Sequence, residues 1–349
     1  MYKDAASTSP QATGRAWRSP RAGPPTRLAA LDLGTNNCRL LVAEPAHDGF
    51  EVVDSFSRIT RLGEGLAATG RLNEAAICRT IAALAVCQRV IGRNQVAEVR
   101  CVATEACRRA ANGAQFIERV ERETGIRLEI VTQDEEARLA LLGCLPLVDA
   151  AAEQLLMVDI GGGSTEIVWF DRASRAGHGV IVSLPVGVVT LAESFAGDLH
   201  NGDYEGMRGC VRDALARAAL GGFVPGALDA PALQMLGTSG TVTTLAAIHL
   251  GLRRYDRRRV DGITLTYQAI AEVAERLKRL DNRGRAAHPC IGQGRADLVV
   301  AGCAILEAIH ESWPVSRMRV ADRGVREGIL NGLMGLDLTA LMRRYPAAV

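Results

Sequence analysis

The chain has 349 residues, of which 48% are hydrophobic and 23% are charged, a balance that suits two domains of ordinary size and excludes a disordered chain. Its 41 basic and 39 acidic residues leave a net charge of +2, so no overall field draws it to nucleic acid or to a membrane surface. Aromatic residues, at 4%, are too few for base-stacking platforms.

The cysteines and residues 1–26 indicate the cellular compartment in which the protein works. The 9 cysteines are odd in number, scattered, and mostly placed in apolar runs, which favours buried thiols in a reducing, cytoplasmic setting. No stretch holds the ~20 uninterrupted apolar residues of a membrane span. Residues 1–26 mix Arg, Ser, Pro and Gly without an apolar segment, so we expect a disordered tail there.

The first half opens with a predicted antiparallel meander. Residues 27–32 form a strand that ends in Asp32, a turn follows at Gly34 and Thr35, and a second strand runs through Cys38 to Ala43. A third strand covers residues 50–54. Helices and short strands then alternate, with a helix capped by Asn73, a strand at 98–103 that leads into a helix near Thr104, a strand at 127–132 and a helix capped by Asp134.

The second half repeats this plan. A strand at 154–159 ends in Asp159, a glycine-rich turn follows, and further strands cover residues 165–170 and 180–184. Helices and strands alternate again, among them a strand at 233–237 and an apolar helix from Arg295 to His310. Strands that alternate with helices predict an α/β protein whose mixed sheets are covered on their faces.

Three glycine-containing turns leave predicted strand ends. Glycines let backbone N–H groups converge and Ser and Thr hydroxyls add donors, so such turns suit phosphoryl oxygens. The candidate phosphate-binding residues are Gly34, Thr35 and Asn36 in the first turn, Gly161, Gly162, Gly163, Ser164 and Thr165 in the second, and Gly237, Ser239, Gly240 and Thr241 in the third. Because a carboxylate beside phosphate is repulsive without a cation between them, Asp32 and Asp159 imply Mg²⁺, bound directly or through water.

Each turn alone also fits an ordinary tight turn, and the third also fits a helix cap. No Gly-x-x-x-x-Gly-Lys-Ser/Thr motif occurs, and the second turn enters a strand where a dinucleotide-binding loop would enter a helix. Taken alone, Glu135 and Glu136 fit acids that the dipole favours in a first helical turn, and Arg108 fits a surface residue. Two Asp-x-Gly hairpins at corresponding positions, with a third loop, favour a shared phosphate site.

These motifs resemble a known family. The duplicated hairpin resembles the actin, sugar-kinase and heat-shock ATPase superfold, in which two ribonuclease-H-like domains clamp phosphates in an interdomain cleft. Finer motifs resemble the exopolyphosphatase and guanosine pentaphosphate phosphatase family over about residues 27–335. They are Asp134-Glu-Glu-Ala-Arg138, Asp159-Ile-Gly-Gly-Gly-Ser-Thr-Glu166, Gly237-Thr-Ser-Gly-Thr241, Arg295-Ala-Asp-Leu-Val-Val-Ala-Gly302 and Arg323-Gly-Val-Arg-Glu-Gly328.

The resemblance implies hydrolysis of a terminal phosphate from inorganic polyphosphate, or alternatively from guanosine pentaphosphate. It assigns Glu136 as the catalytic glutamate that activates water and Arg108 as an arginine that faces the phosphates. Arg39 belongs to the first phosphate loop. Mg²⁺ would be held by Asp159 and Glu166, with Asp32 as a further ligand.

The predicted organisation is a first domain at 27–139 joined by a C-terminal helix at 331–349, and a second domain at 140–330. A sugar or acetate kinase of the same superfold and a nucleotide-binding regulator without turnover are the alternatives of other classes. The arginines of residues 253–259, with Arg283 and Arg285, fit either a solvated face or a path for a polyanion. The sequence leaves the oligomeric state open, a homodimer included.

Overall fold

A computed structural model describes residues 26–171, 179–195, 201–218 and 233–338. The predicted tail up to residue 25 and the part of the predicted C-terminal helix at 339–349 lie outside the described residues. The described strands form two sheets. The first sheet contains β1 (Leu28–Leu33), β2 (Asn37–Ala46), β3 (Gly49–Ile59), β4 (Glu98–Ala103) and β5 (Glu129–Ile130), and the second contains β6 (Gln154–Ile160), β7 (Thr165–Asp171), β8 (Gly179–Leu184), β9 (Leu233–Thr238), β10 (Thr264–Thr266) and β11 (Arg317–Ala321).

The helices connect and cover these sheets. In chain order they are α1 (Leu66–Thr69), α2 (Glu74–Arg93), α3 (Glu105–Arg109), α4 (Gly113–Thr124), α5 (Gln133–Cys144), α6 (Val188–Ser194), α7 (Asn201–Arg217), α8 (Ser239–His249), α9 (Arg257–Val260), α10 (Tyr267–Arg279), α11 (Asn282–Ala287), α12 (Val299–Ser312) and α13 (Val325–Leu333). A single 3₁₀ turn, Leu145–Leu147, follows α5.

The two sheets share a topology, and this confirms the predicted duplication. The first has the order β3-β2-β1-β4-β5 and the second the order β10-β11-β9-β6-β7-β8. In the first sheet, β1, β2 and β3 form an antiparallel meander, and β1 pairs in parallel with β4 on its other side. In the second sheet, β6, β7 and β8 form the matching meander, and β6 pairs in parallel with β9. The carboxyl ends of β1, β4, β6 and β9 therefore carry the loops that follow the central strands, the position where open α/β sheets place their ligands.

Local sequence explains several helix ends. Asn73 caps α2, because its side chain accepts a hydrogen bond from the Ala76 N–H at 2.8 Å, and Gly125 ends α4 with a φ of 74°. The cap of α5 is Thr132, which accepts from the Glu135 N–H, so the predicted cap at Asp134 is wrong by two residues. The predicted apolar helix starts at Val299 and not at Arg295.

Two further predictions concern composition. All 9 cysteines are free, and all but Cys78 and Cys210 are buried, which confirms the expected core thiols. Among the described residues, one helix, α2, is long and apolar enough to cross a membrane by length and composition alone. Its buried side chains, such as Ile77 and Leu84, pack in the core of the first sheet with Leu31 and Leu40.

A third core joins the two halves. Leu28 and Ala30 of the first sheet and Leu155 and Met157 of the second belong to one buried cluster that also contains the inner faces of α5 and α13. The predicted domain boundary at residues 139 and 140 falls inside α5. These two helices thus fix the sheets against each other and place the loops of both halves around one cleft.

Candidate functional site

One cleft collects the loops at the carboxyl ends of the central strands. It is lined by most of the residues that the sequence predicted, namely Asp32, Gly34, Thr35, Asn36, Arg39, Glu136, Asp159, Gly161, Gly162, Gly163, Ser164, Ser239, Gly240 and Thr241. The two halves therefore meet where the duplicated hairpins point. The structure places Asp32 and Asp159 in a single crevice, as predicted.

The first and second loops touch each other, which explains their glycines. A Cβ on Gly162 would lie 3.0 Å from Thr35 Cβ, and one on Gly163 would lie 2.9 Å from Thr35 Oγ1. Gly187, at the start of α6, packs against the second loop so closely that a Cβ would lie 2.4 Å from the Gly162 carbonyl carbon. Side chains at these positions would push the loops apart, and the backbone N–H groups would no longer face one space.

The third loop is shorter than the sequence suggested, because α8 begins at Ser239 directly after β9. Ser239 has a φ of 83°, a left-handed conformation that costs a non-glycine residue free energy. Its hydroxyl donates to the Ile160 carbonyl at 2.5 Å, and the Thr238 hydroxyl donates to the Arg323 carbonyl at 2.5 Å. The strained residue therefore ties the third loop to the second.

Four carboxylates lie at the base of the cleft or directly behind it, where Glu166 is buried and Asp32, Glu136 and Asp159 are half-buried. Burial raises the pKa of Asp32, and burial together with the charge of Asp32 raises the pKa of Asp159 to about 6. Burial and the charge of Asp159 raise the pKa of Glu166 to about 7. Burial, followed by the charge of Glu166, raises the pKa of Glu136 well above its ordinary value. Such a group favours bound protons or a cation, since like charges in a dry site repel.

Glu136 is held in place by Arg108. Glu136 Oε2 accepts hydrogen bonds from both terminal nitrogens of Arg108, each at 3.2 Å. Arg108 also pairs with Glu105, with a distance of 2.6 Å between Nη2 and Oε2. The side chain of Glu136 is 13% exposed and lines the cleft, so its carboxylate can reach a bound water.

Four predicted residues lie outside the cleft lining. Gly237 sits within β9, where a Cβ would lie 2.4 Å from Met318 Sδ. The Thr165 hydroxyl donates to the Val186 carbonyl at 2.7 Å. Glu166 is 2% exposed and accepts from the Ser183 hydroxyl at 2.9 Å, directly across the strand pair from Asp159. Arg108 stands behind Glu136.

The cleft also contains residues to which the sequence assigned no role. Most are polar or charged, and they include Thr104, Glu105, Thr244, Arg295, Asp322, Arg323, Arg326 and Glu327. Several belong to the sequence motifs that resemble the family. Those motifs predicted the site but did not indicate which of their side chains face the cleft. Glu105 likewise stands in Thr104-Glu-Ala-Cys-Arg108, the stretch that identified Arg108, but that stretch assigned it no role.

The last loop of the cleft is fixed by ion pairs. Arg257 donates to Glu327 Oε1 at 2.7 Å and to the Asp322 carbonyl at 2.6 Å. Arg323 Nε donates to Asp261 Oδ2 at 2.8 Å. Glu327 also accepts from the Gly324 N–H at 2.9 Å, so the start of α13, with Arg326, is held toward the cleft.

Among the described residues, no three His, Cys, Asp or Glu side chains lie close enough together to hold a metal ion by themselves. Two buried amide oxygens of the first loop, Asn36 Oδ1 and Asn37 Oδ1, make no hydrogen bond. These amide oxygens and the carboxylates of the cleft are the kind of ligand that Mg²⁺ prefers.

Comparison with known proteins gives consistent results. The model of the Ppx/GppA phosphatase family matches residues 41–336. Exopolyphosphatase 2 of Mycobacterium tuberculosis is 32% identical over 328 residues, which are 89% of this chain and 99% of that protein. A guanosine-5'-triphosphate,3'-diphosphate pyrophosphatase of Aeromonas salmonicida is 31% identical over 308 residues, and the match spans 88% of this chain but 59% of that protein.

Solved structures confirm the predicted fold. The crystal structure of the Aquifex aeolicus member of the Ppx/GppA family has a TM-score of 0.72 at 31% identity, covering 89% of this chain and 98% of that one. An exopolyphosphatase from Cytophaga hutchinsonii shares the fold with a TM-score of 0.80 at 23% identity, covering 89% of this chain and 99% of that one. With its predicted α/β architecture, its duplicated hairpins and its family match over most of its length, this chain belongs to the Ppx/GppA phosphatase family.

Proposed function

We propose that this protein is an exopolyphosphatase that hydrolyses the terminal phosphate of inorganic polyphosphate. The observation that carries the proposal is the convergence of three loops and the half-buried Glu136 carboxylate on one cleft. A relative that is matched over nearly its whole length is named an exopolyphosphatase. Family membership also argues against the kinase and regulator alternatives.

The second candidate substrate is guanosine pentaphosphate, which a relative's name supports. Among the described residues, the cleft lining contains no Phe, Tyr or Trp side chain on which a purine base could stack. Apart from the aliphatic residues Ile160, Val188, Leu298, Val299 and Val325, its lining consists of hydroxyl, amide, glycine, carboxylate and guanidinium groups, which suit a chain of phosphates. This composition supports polyphosphate as the preferred substrate.

In the mechanism, Glu136 orients a water molecule and accepts its proton as the water attacks phosphorus in line. A raised pKa suits this task because it makes the carboxylate a stronger base. The backbone N–H groups of the loops, with Arg39 and Arg326 at the cleft wall, stabilise the charge on the phosphate oxygens. No residue becomes phosphorylated in this scheme.

Mg²⁺ fits the site as a cofactor. Asp32 and Asp159 line the cleft, and Glu166 stands behind Asp159, so the first two are best placed to hold the ion directly or through water. When bound, Mg²⁺ would supply positive charge beside the reacting phosphate. A cytoplasmic location stays a prediction from cysteine usage.

The proposal is tested by phosphate release from long polyphosphate and from guanosine pentaphosphate. We expect faster release from polyphosphate, and a loss of about 100- to 10,000-fold in kcat for Glu136→Gln. The matched control is Glu135→Gln, one residue earlier, whose carboxylate pairs with Arg100 at 3.1 Å outside the cleft. The proposal is wrong if only the nucleotide is hydrolysed, and the role of Glu136 is wrong if both variants keep the wild-type rate.

A further inference from the structure

Glu105 is an acidic residue of the cleft with no role so far. It opens α3, its side chain is 5% exposed, and it lines the cleft. A Cβ on Gly163 would lie 2.9 Å from Glu105 Cγ, so this side chain sits against the second loop. A buried carboxylate beside a phosphate site weakens phosphate binding unless a cation compensates it.

Arg108 supplies that compensation, and it uses all its donors in doing so. A guanidinium has five N–H groups. Nε and Nη2 donate to Glu105 Oε2 at 3.2 and 2.6 Å, Nη1 and Nη2 each donate to Glu136 Oε2 at 3.2 Å, and Nη1 donates to the Val131 carbonyl at 2.7 Å. None is left for a substrate oxygen.

Other arginines differ from Arg108 in this respect. Among the described residues, the side chains of Arg39 and Arg326 line the cleft and make no hydrogen bond, and the nearest carboxylate to Arg326 is 3.9 Å away, on Glu327. Their donors are therefore available to phosphate. Arg108, 20% exposed and flanked by two carboxylates, holds side chains in this structure, whereas the family resemblance implied that it faces the phosphates.

We propose that Glu105 is a positioning residue, which anchors Arg108 so that Arg108 fixes the carboxylate of Glu136 toward the attacking water. The two hydrogen bonds that Arg108 donates to Glu105 set the plane of the guanidinium, and that plane sets where Glu136 Oε2 is held. Glu136 Oε1, which makes no hydrogen bond among the described residues, is then the oxygen that takes the proton. The inference rests on the proposed role of Glu136.

The test is a double-mutant cycle in the full-length protein, with kcat and KM for polyphosphate measured separately. Glu105→Gln keeps the size of the side chain but removes its charge. We expect about a tenfold loss of kcat with KM within about twofold of wild type, since charge-assisted hydrogen bonds are lost but phosphate ligands are not. In a Glu136→Gln background, Glu105→Gln should cause no further loss, because it acts through the missing carboxylate.

The control is Arg109→Gln, which removes the weaker and more exposed partner of Glu105, 3.7 Å away, and should leave kcat unchanged. Arg108→Lys, which keeps the charge but not the planar fork, should reproduce the kcat loss even if Glu105→Gln folds poorly. A rise in KM alone, or equal losses in both backgrounds, would overturn the proposal. If wild type releases no phosphate from polyphosphate, the proposed function fails instead.

Discussion

The duplicated hairpins carry opposite charges at one corresponding position, which lies seven residues after the aspartate that ends the first strand. Arg39 lies across the strand pair from Asp32, and Glu166 lies across from Asp159. The charge of Arg39 lowers the pKa of both aspartates, against the effect of their burial. No such cation stands opposite Asp159, so the second hairpin carries the excess negative charge. This asymmetry supports the proposal that a cation binds on the side of the second hairpin.

The raised pKa of Glu166 predicts a dependence of stability on pH. Because its pKa rises from 4.5 to about 7 on folding, the contribution of this group to stability is complete below about pH 4.5 and is lost as pH rises through about 7. The loss is on the order of 3 kcal/mol for a shift of this size. Urea unfolding of wild type and Glu166→Gln at pH 5 and pH 8, without divalent ions, measures the difference.

We expect wild type to lose more stability than Glu166→Gln between these two pH values, since glutamine does not ionise. Added Mg²⁺ should shrink the difference, because a cation stabilises the ionised carboxylate in the folded state. If the free energy of unfolding changes by the same amount in both proteins between pH 5 and pH 8, Glu166 does not retain its proton in the folded state.

At the scale of elements, the contact between α5 and α13 positions the cleft from below. A Cβ on Gly328 would lie 1.9 Å from the Leu139 carbonyl oxygen, and one on Gly143 would lie 2.1 Å from the Gly324 carbonyl oxygen. The two backbones therefore touch, with no side chain between them. α5 carries Glu136 and α13 carries Arg326, so this contact sets the distance between a proposed base and a phosphate ligand.

Gly328→Ala should destabilise the protein by about 1–3 kcal/mol, because the backbone oxygen it meets has to move. It should also lower kcat, since α13 carries Arg326 toward the cleft. Gly332→Ala is the matched control on the same helix, where a Cβ meets nothing within 4 Å, and it should be neutral or stabilising by up to about 1 kcal/mol. Thermal unfolding and phosphate release measure both effects, and similar behaviour of the two variants would contradict the packing role.

At the scale of the whole molecule, the halves are joined by the α5 and α13 core and by contacts at the cleft rim. Arg61 pairs with Asp297 at 2.8 Å, and the Gly65 N–H donates to Glu193 Oε1 at 2.9 Å. The rim pair is partly exposed, so it contributes little by itself. The shared core fixes the base of the cleft, whereas the weak contacts at its rim can be broken at little cost in free energy.

We predict that the halves close on substrate, because the site is shared between them and water entry has to be controlled. Small-angle scattering with a non-hydrolysable polyphosphate analogue should give a smaller radius of gyration than the free protein. Orthophosphate at the same ionic strength is the control, since it cannot span the cleft in the same way. An unchanged scattering profile with saturating analogue would argue against closure.

The sequence by itself determined the two meanders, the loops at Asp32 and Asp159, and the assignment to a phosphatase fold. These features are local, because strand alternation and glycine turns depend on neighbours in the chain. It missed the starts of α5 and α12, where a threonine cap and turns outweighed the apolar pattern. Caps of this kind are decided by one or two hydrogen bonds, so their position is weakly marked in a sequence.

Only the tertiary structure decided which charges compensate each other. Glu105 and Glu136 are 31 positions apart in the chain, yet both accept hydrogen bonds from the Arg108 guanidinium. Gly328 packs against Leu139, although almost the whole second half of the chain separates them. Neither pairing leaves a periodic or spaced signal, because each depends on how separate elements pack. The sequence set the chemistry that was available, and packing determined which of it faces the substrate.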